Sequence, residues 1–199
     1  ALIYAAEGNH TDCVRFLVES GADLNLKTKM GGSVLSRAAE NGNLEMISYL
    51  IEHGSELTGI AAIVAARKGN YDAVKLLIEK GIDIDAQQSW GHTALMMAAK
   101  EGNTEIVKLL LENGANFKIK DKNGDNAMAL ASENDHLDVV SLLKRAGAIA
   151  VAAKPKEVPP VDDEEDETDD VIADEILENS PDVDDLPDEN EQPDEVDLD

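Results

Sequence analysis

The chain of 199 residues predicts an all-α solenoid of stacked two-helix units followed by a disordered acidic tail. Three observations carry that expectation. Five glycines, Gly21, Gly54, Gly81, Gly114 and Gly147, recur at intervals of 33, 27, 33 and 33 residues. Each closes a run with apolar residues at helical spacing: Val14, Leu17 and Val18; Ile47, Leu50 and Ile51; Val74, Leu77 and Ile78; Val107, Leu110 and Leu111; Val140 and Leu143. A fixed period of this length marks one supersecondary unit being stacked. The third observation is charge segregation. From Glu157 onward there are 22 acidic residues and no Lys or Arg, which leaves residues 1–156 with 20 of the 42 acids and all 17 bases. The net charge of −25 is therefore a property of the tail, and the repeated part is close to neutral.

The fourth unit shows how one repeat is built. Thr93 caps a short first helix with its hydroxyl. Ala98 and Ala99 allow that helix a close neighbour, and Gly102 breaks the chain in a tight turn because glycine reaches positive φ without steric cost. Ile106, Val107, Leu110 and Leu111 then form the stripe of a half-buried second helix, which Gly114 ends as a C-cap. In the third unit both helices survive, at Ile60–Ala66 and Tyr71–Glu79. The six residues missing from its period therefore come from the connection at Ser55–Gly59, and one projecting loop should be almost absent. Two readings stand: drift in a tolerant loop, or a notch that admits something bulky.

Thr93-Ala-Leu95-Met-Met-Ala98 is similar to the T-P-L-H-x-A signature of the ankyrin repeat family, and Glu105–Leu111 resembles that family's second-helix core. The resemblance covers residues 1–149 and implies helix–turn–helix units with projecting β-hairpin loops, here at about 1–23, 24–56, 57–83, 84–116 and 117–149. No unit keeps the signature histidine; Ser36, Ile63, Met96 and Ala129 stand there. Asp135 replaces the Gly or Asn of the other inner turns, and the polar Asn126, Ser132, Glu133 and Asn134 suit a terminal unit facing water. The context of Asn25 resembles that of asparagines hydroxylated in this family, although Asn25 also suits a purely structural role in its hairpin.

Composition and spacing argue against catalysis. His10, His53, His92 and His136 fall in different units with no HExxH or cysteine partner, so neither a metal nor another cofactor is expected. The Gly-Asn turns lack the spacing of a phosphate loop, and Ser33 and Ser36 lack a GxSxG context. A stacked array offers a surface where an enzyme needs a cavity that excludes water. Cys13, alone, excludes an internal disulfide framework; it occupies the slot of Met46, Ala73, Ile106 and Val139 and is expected to be a buried small hydrophobe. No apolar run approaches a membrane span, and no signal peptide is visible, which favours an intracellular location; a monomer is expected. The chain opens at Ala1 inside a repeat, so its natural N-terminus is expected upstream.

The resemblance implies recognition of a protein partner by the hairpin tips and the concave helix face, where packing leaves the loop tips and the exposed edge of each first helix free to vary. These are Lys27, Lys29 and Met30 in the second unit, and Arg67 and Lys68 in the third. The fourth contributes Gln87, Ser89, Trp90, His92, Lys100 and Glu101, and the fifth Lys120, Lys122, Asn123 and Asp125. Trp90, the one tryptophan, is either a binding anchor or a flat cover over the neighbouring loop. Acids at Glu40, Glu101, Asp121, Asp125 and Glu133 make the rim mixed in charge, and with the anionic tail this argues against nucleic acid.

Residues 150–160, with Pro159 and Pro160, read as a linker, and residues 161–199 as disordered. Within them Val171–Leu177 carries Ile172 and Ile176 at i, i+4, which suits either a docking motif or plain solvating chain. The alternative function is a spacer or inhibitor whose polyanionic tail is the active element, with autoinhibition through the lysine-bearing loops as one form of it.

Overall fold

The computed structural model describes residues 1–29 and 31–152, with side chains to residue 147. Met30 and residues 153–199, which include most of the linker and the whole tail, lie outside the described residues. Ten helices occur among the described residues, in five antiparallel pairs. They are α1 Leu2–Glu7 with α2 Thr11–Glu19, α3 Val34–Glu40 with α4 Leu44–Glu52, and α5 Gly59–Lys68 with α6 Tyr71–Glu79. The last pairs are α7 Ala94–Lys100 with α8 Thr104–Glu112, and α9 Ala127–Glu133 with α10 Leu137–Ala152. The first helices stack α1–α3–α5–α7–α9 and the second helices form a looser outer row, α4–α6–α8–α10.

Side-chain size explains why the first row is the tighter one. Ala38, Ala39, Ala61, Ala62, Ala65, Ala66, Ala98, Ala99 and Ala131 are fully or almost fully buried, so the backbones of neighbouring first helices approach closely. Larger groups from the second helices, including Met46, Leu50, Leu77, Ile106 and Leu110, fill the space behind them. Burial of each such side chain contributes about 1.5–3 kcal/mol. Most of this area lies between modules, so no module is complete alone. Side-chain caps start three first helices: Ser33 Oγ accepts from the Ser36 N–H, Thr93 Oγ1 from Met96 and Asn126 Oδ1 from Ala129.

The turn inside each pair needs a left-handed residue. Gly42, Gly69 and Gly102 have φ of 67°, 77° and 72°, and the same position is filled by Asn9 at 58° and Asp135 at 60°. Asp135 is thus a tolerated substitute, since Asn and Asp visit this region more readily than other residues with a side chain. The residues beside these turns reach back to the preceding module. Asn41 Nδ2 donates to the carbonyls of Ala6 and Glu7 at 2.8 and 3.2 Å, and Asn70 Nδ2 to those of Ala39 and Glu40 at 3.0 and 2.8 Å. Asn103 Nδ2 donates to Ala66 O at 2.8 Å, and His136 Nε2 stands 3.0 Å from Lys100 O. Helix C-termini leave carbonyls without intrahelical partners, and here the next module supplies the donors.

Three expectations are corrected. Cys13 is exposed, not buried. Its counterparts Met46, Ala73, Ile106 and Val139 are buried, the last of them in the last described module, so the slot faces the preceding module, and no module is described before the first pair. Gly147 does not close a helix, because α10 runs past it to Ala152, into the stretch read as linker. Residues 146–153 are alanine-rich, and the helix propensity of alanine carries the helix through one glycine. The projecting loops are hairpin turns with no strand assigned among the described residues. Each tip is closed by two backbone bonds: Thr28 with Gly31 and Gly32, Gln88 with Gly91 and His92, Asp121 with Gly124 and Asp125.

The loop of the third module is reduced to the few residues before Gly59, and the gap is narrowed from both sides. A Cβ on Gly59 would stand 1.9 Å from Ala86 Cβ, and Ile60 Cδ1 reaches within 3.2 Å of where a Cβ on Gly31 would lie. Gly59→Ala is therefore expected to lower unfolding free energy by about 1–3 kcal/mol in urea titrations, through overpacking against Ala86. The exposed thiol gives a second check: Cys13 in the folded 199-residue chain should react with iodoacetamide without denaturant, whereas a further module placed before Ala1 should protect it.

Candidate protein-binding surface

Finger and first-helix residues meet in the first two modules. Leu26 and Thr28 from the finger of the second module line a groove of about 390 Å³ with Tyr4, Glu7 and Arg37 from α1 and α3. Tyr4 and Leu26 are well exposed in it. Neither stood out in the sequence, because their repeat positions are ordinary and only the juxtaposition makes a groove.

The basic residues at the helix ends are not independent charges. Glu40 accepts from Arg37 Nη1 at 2.7 Å and Arg67 Nη2 at 3.0 Å, with Lys68 Nζ at 3.8 Å. Burial pushes the Glu40 carboxyl up, but the Arg37 hydrogen bond and the charges of Arg37, Arg67 and Lys68 outweigh it and hold the group below the usual carboxylate range. Glu40 is therefore the hub of a cationic cluster across two modules, not an isolated acid on the rim. Lys27 is likewise taken up by Glu56 at 3.0 Å, whereas Lys29 is exposed with no ion pair among the described residues.

The fingers of the fourth and fifth modules form one locked body. Lys122 N–H donates to Trp90 O at 3.1 Å, and Gln87 Nε2 donates to Gly91 O at 2.7 Å and Lys120 O at 3.3 Å. A Cβ on Gly91 would approach Asp121 Cα to 3.0 Å, so the glycine is needed for the fingers to meet. Asp121 is the hub here, with a side chain only 1% exposed. Its Oδ1 accepts from the N–H groups of Asn123 and Asp125 at 2.8 and 3.0 Å, and its Oδ2 faces His92 Nε2 at 3.2 Å. Gln88 Nε2 stands 3.0 Å from the other ring nitrogen of His92. Burial raises the Asp121 carboxyl, but the N–H groups of Asp125 and Asn123 and the His92 ring together bring it below its ordinary value.

His92 thus points inward, unlike the partner-facing role the sequence suggested, and Asp121 is a structural acid instead of a rim charge. Gln87 and Asp125 are also engaged in finger geometry. Ser89, Trp90, Lys100, Glu101, Lys120, Lys122 and Asn123 are exposed. Trp90 is 68% exposed, so its ring does not cover the neighbouring finger. No helix among the described residues is long and apolar enough to cross a membrane.

The repeated pairs, left-handed turns and fingers find their counterpart in known proteins. A family described as Ankyrin repeats (3 copies) matches residues 1–60 and 62–153. The chain belongs to the ankyrin repeat family. Ankyrin repeats are generally non-catalytic modules of protein–protein interaction. The chain is 35% identical over 86 residues to the Ankyrin repeat and KH domain-containing protein mask-1 of Caenorhabditis elegans, covering 40% of this chain and 3% of that protein. It is also 35% identical over 96 residues to the Nuclear factor NF-kappa-B p105 subunit of Gallus gallus, covering 42% and 10%. A putative ankyrin repeat protein of fowlpox virus, FPV115, is 34% identical over 77 residues, covering 37% and 14%. These ankyrin stretches are small parts of their proteins, so the likeness concerns the repeat and not the activity of the whole.

Both carboxylates titrate lower in the folded protein than in the unfolded chain. In the window between the two values the unfolded state binds more protons, so stability rises with pH there. The contribution of Glu40 and Asp121 is complete above about pH 4, the ordinary carboxylate value, and is lost as pH falls through the folded values. Urea titrations at descending pH should show this loss, and Asp121→Asn should flatten the acid limb relative to the unsubstituted protein.

Proposed function

We propose that this chain is a non-catalytic scaffold that binds a protein partner through its finger tips and the exposed ends of its first helices. The observation that carries the reading is Trp90, largely exposed on a finger that backbone and side-chain bonds hold rigid. A large ring presented without loss of conformational freedom on binding is a favourable anchor. The cations of Arg37, Arg67 and Lys68 around Glu40, with exposed Lys29, Lys100, Lys120 and Lys122, add an electrostatic component to the surface. Such a component governs encounter rate and selectivity more than affinity. A protein partner suits this surface better than nucleic acid, because acids are interspersed and no aromatic ladder accompanies the lysines.

Charge segregation favours one second reading, in which the polyanionic residues 157–199 are the active element. Affinity capture from the native cell separates the two. Proteins held by the full chain and by the outer-helix variant Lys108→Glu should be lost with the double variant Trp90→Ala, Arg67→Glu, with hot-spot losses of about 2 kcal/mol or more. Retention by that double variant together with loss on deleting residues 157–199 would favour the tail.

A further inference from the structure

A second apolar site lies on the last described module, and its lining does not include Trp90. Phe117, Met128 and Leu143 form its floor, and Lys118, Lys120 and Lys144 stand around it, enclosing about 440 Å³. Among the described residues no carboxylate lines it. None of the three lysines has an ion-pair partner among the described residues, and all three are exposed. The Phe117 ring lies against α10 at Gly147, where a Cβ would be in ordinary contact at 3.6 Å from Phe117 Cε2. Lys118 Nζ stands 5.8 Å from the centre of that ring, so one cation is already held over the floor.

The repeat explains why the floor is open. Met128 occupies the position of Leu35, Ala62 and Leu95, which are fully or almost fully buried under the module that follows each of them, whereas Met128 is 37% exposed. Methionine suits an adaptable binding floor, being unbranched and polarisable. An apolar floor alone accepts any hydrophobe, but three lysines without an ion-pair partner among the described residues do not. Cationic or neutral segments leave the lysines uncompensated, while a segment with carboxylates flanking one or two apolar side chains satisfies both parts.

We propose that this end groove binds an acidic amphipathic peptide segment of a protein partner. An apolar side chain of the segment seats on Phe117, Met128 and Leu143, and carboxylates on either side of it face Lys118, Lys120 and Lys144. The groove shares Lys120 with the finger surface but not Trp90, so Trp90→Ala separates the two readings.

Fluorescence anisotropy of the full chain with a labelled acidic peptide, EDELFEDE, tests it. Saturable binding is expected. It should weaken by about tenfold or more in Lys144→Glu and in Met128→Glu, where like charge meets the peptide. It should also weaken when salt rises from about 0.05 to about 0.5 M, and when the central Leu-Phe of the peptide becomes Ser-Ser. Trp90→Ala should leave it unchanged. A thermal melt checks that Met128→Glu folds, and the exposed Lys144→Glu reads the same site without touching the floor. Unsaturable binding, or binding indifferent to both variants, overturns the proposal. So does binding that appears only after deletion of residues 157–199, which would assign the groove to the chain's own acidic segment. Sedimentation showing a dimer that Met128→Glu dissociates would assign it to a second copy and overturn it equally.

Discussion

Close approach of neighbouring first helices is the constraint on which the structure rests. It requires alanine at the paired positions Ala38 and Ala39, Ala65 and Ala66, Ala98 and Ala99, all fully buried. With backbones that close, the asparagines beside the inner turns fall within reach of the carbonyl ends of the helix before. The finger stems likewise meet their neighbours: Asn25 Oδ1 accepts from Glu56 N–H at 2.8 Å, and Asp85 Oδ1 from Asn116 N–H at 2.8 Å. Larger residues in the first row would separate the helices and break both sets of bonds together. Packing and polar satisfaction are therefore one requirement, imposed by small side chains.

Asn25 shows how a sequence signal acquires a structural meaning. Its context resembles that of a modified family asparagine, yet its side chain already performs the task that Asp85 performs two modules on. The same double reading applies to Asp121, which belongs to the charge pattern of the rim in the sequence and to the finger core in the structure.

Features set by local chemistry were legible from residues alone. The glycine register up to Gly114, the stripes of the second helices, the cap at Thr93 and the lost third finger each depend on residues within one module. Features set by the neighbouring module were not. Cys13 looks like Met46 in every local respect and differs only in having no described module before it. His92 carries no mark that its partner is a buried aspartate one finger away. The recurring asparagine after the inner glycine, at Asn43, Asn70 and Asn103, was a readable signal of inter-module bonding that periodicity of apolar residues passes over. At the candidate site, exposure of Trp90 could be suspected but not decided, since loop tips and covered rings share the same sequence.

The bonds from turn asparagines to preceding helices all run one way. Donors belong to the later module and acceptors to the earlier, from Asn41 to Ala6, Asn70 to Ala39 and Asn103 to Ala66; in the last pair Asn134 Nδ2 turns instead to Leu130 O of its own helix at 2.8 Å. The array is thus vectorial. During synthesis from the N-terminus, each finished segment carries bare carbonyls until its successor emerges and seals them, so consolidation trails the ribosome by one period. The final segment, with no successor of its own kind among the described residues, seals itself.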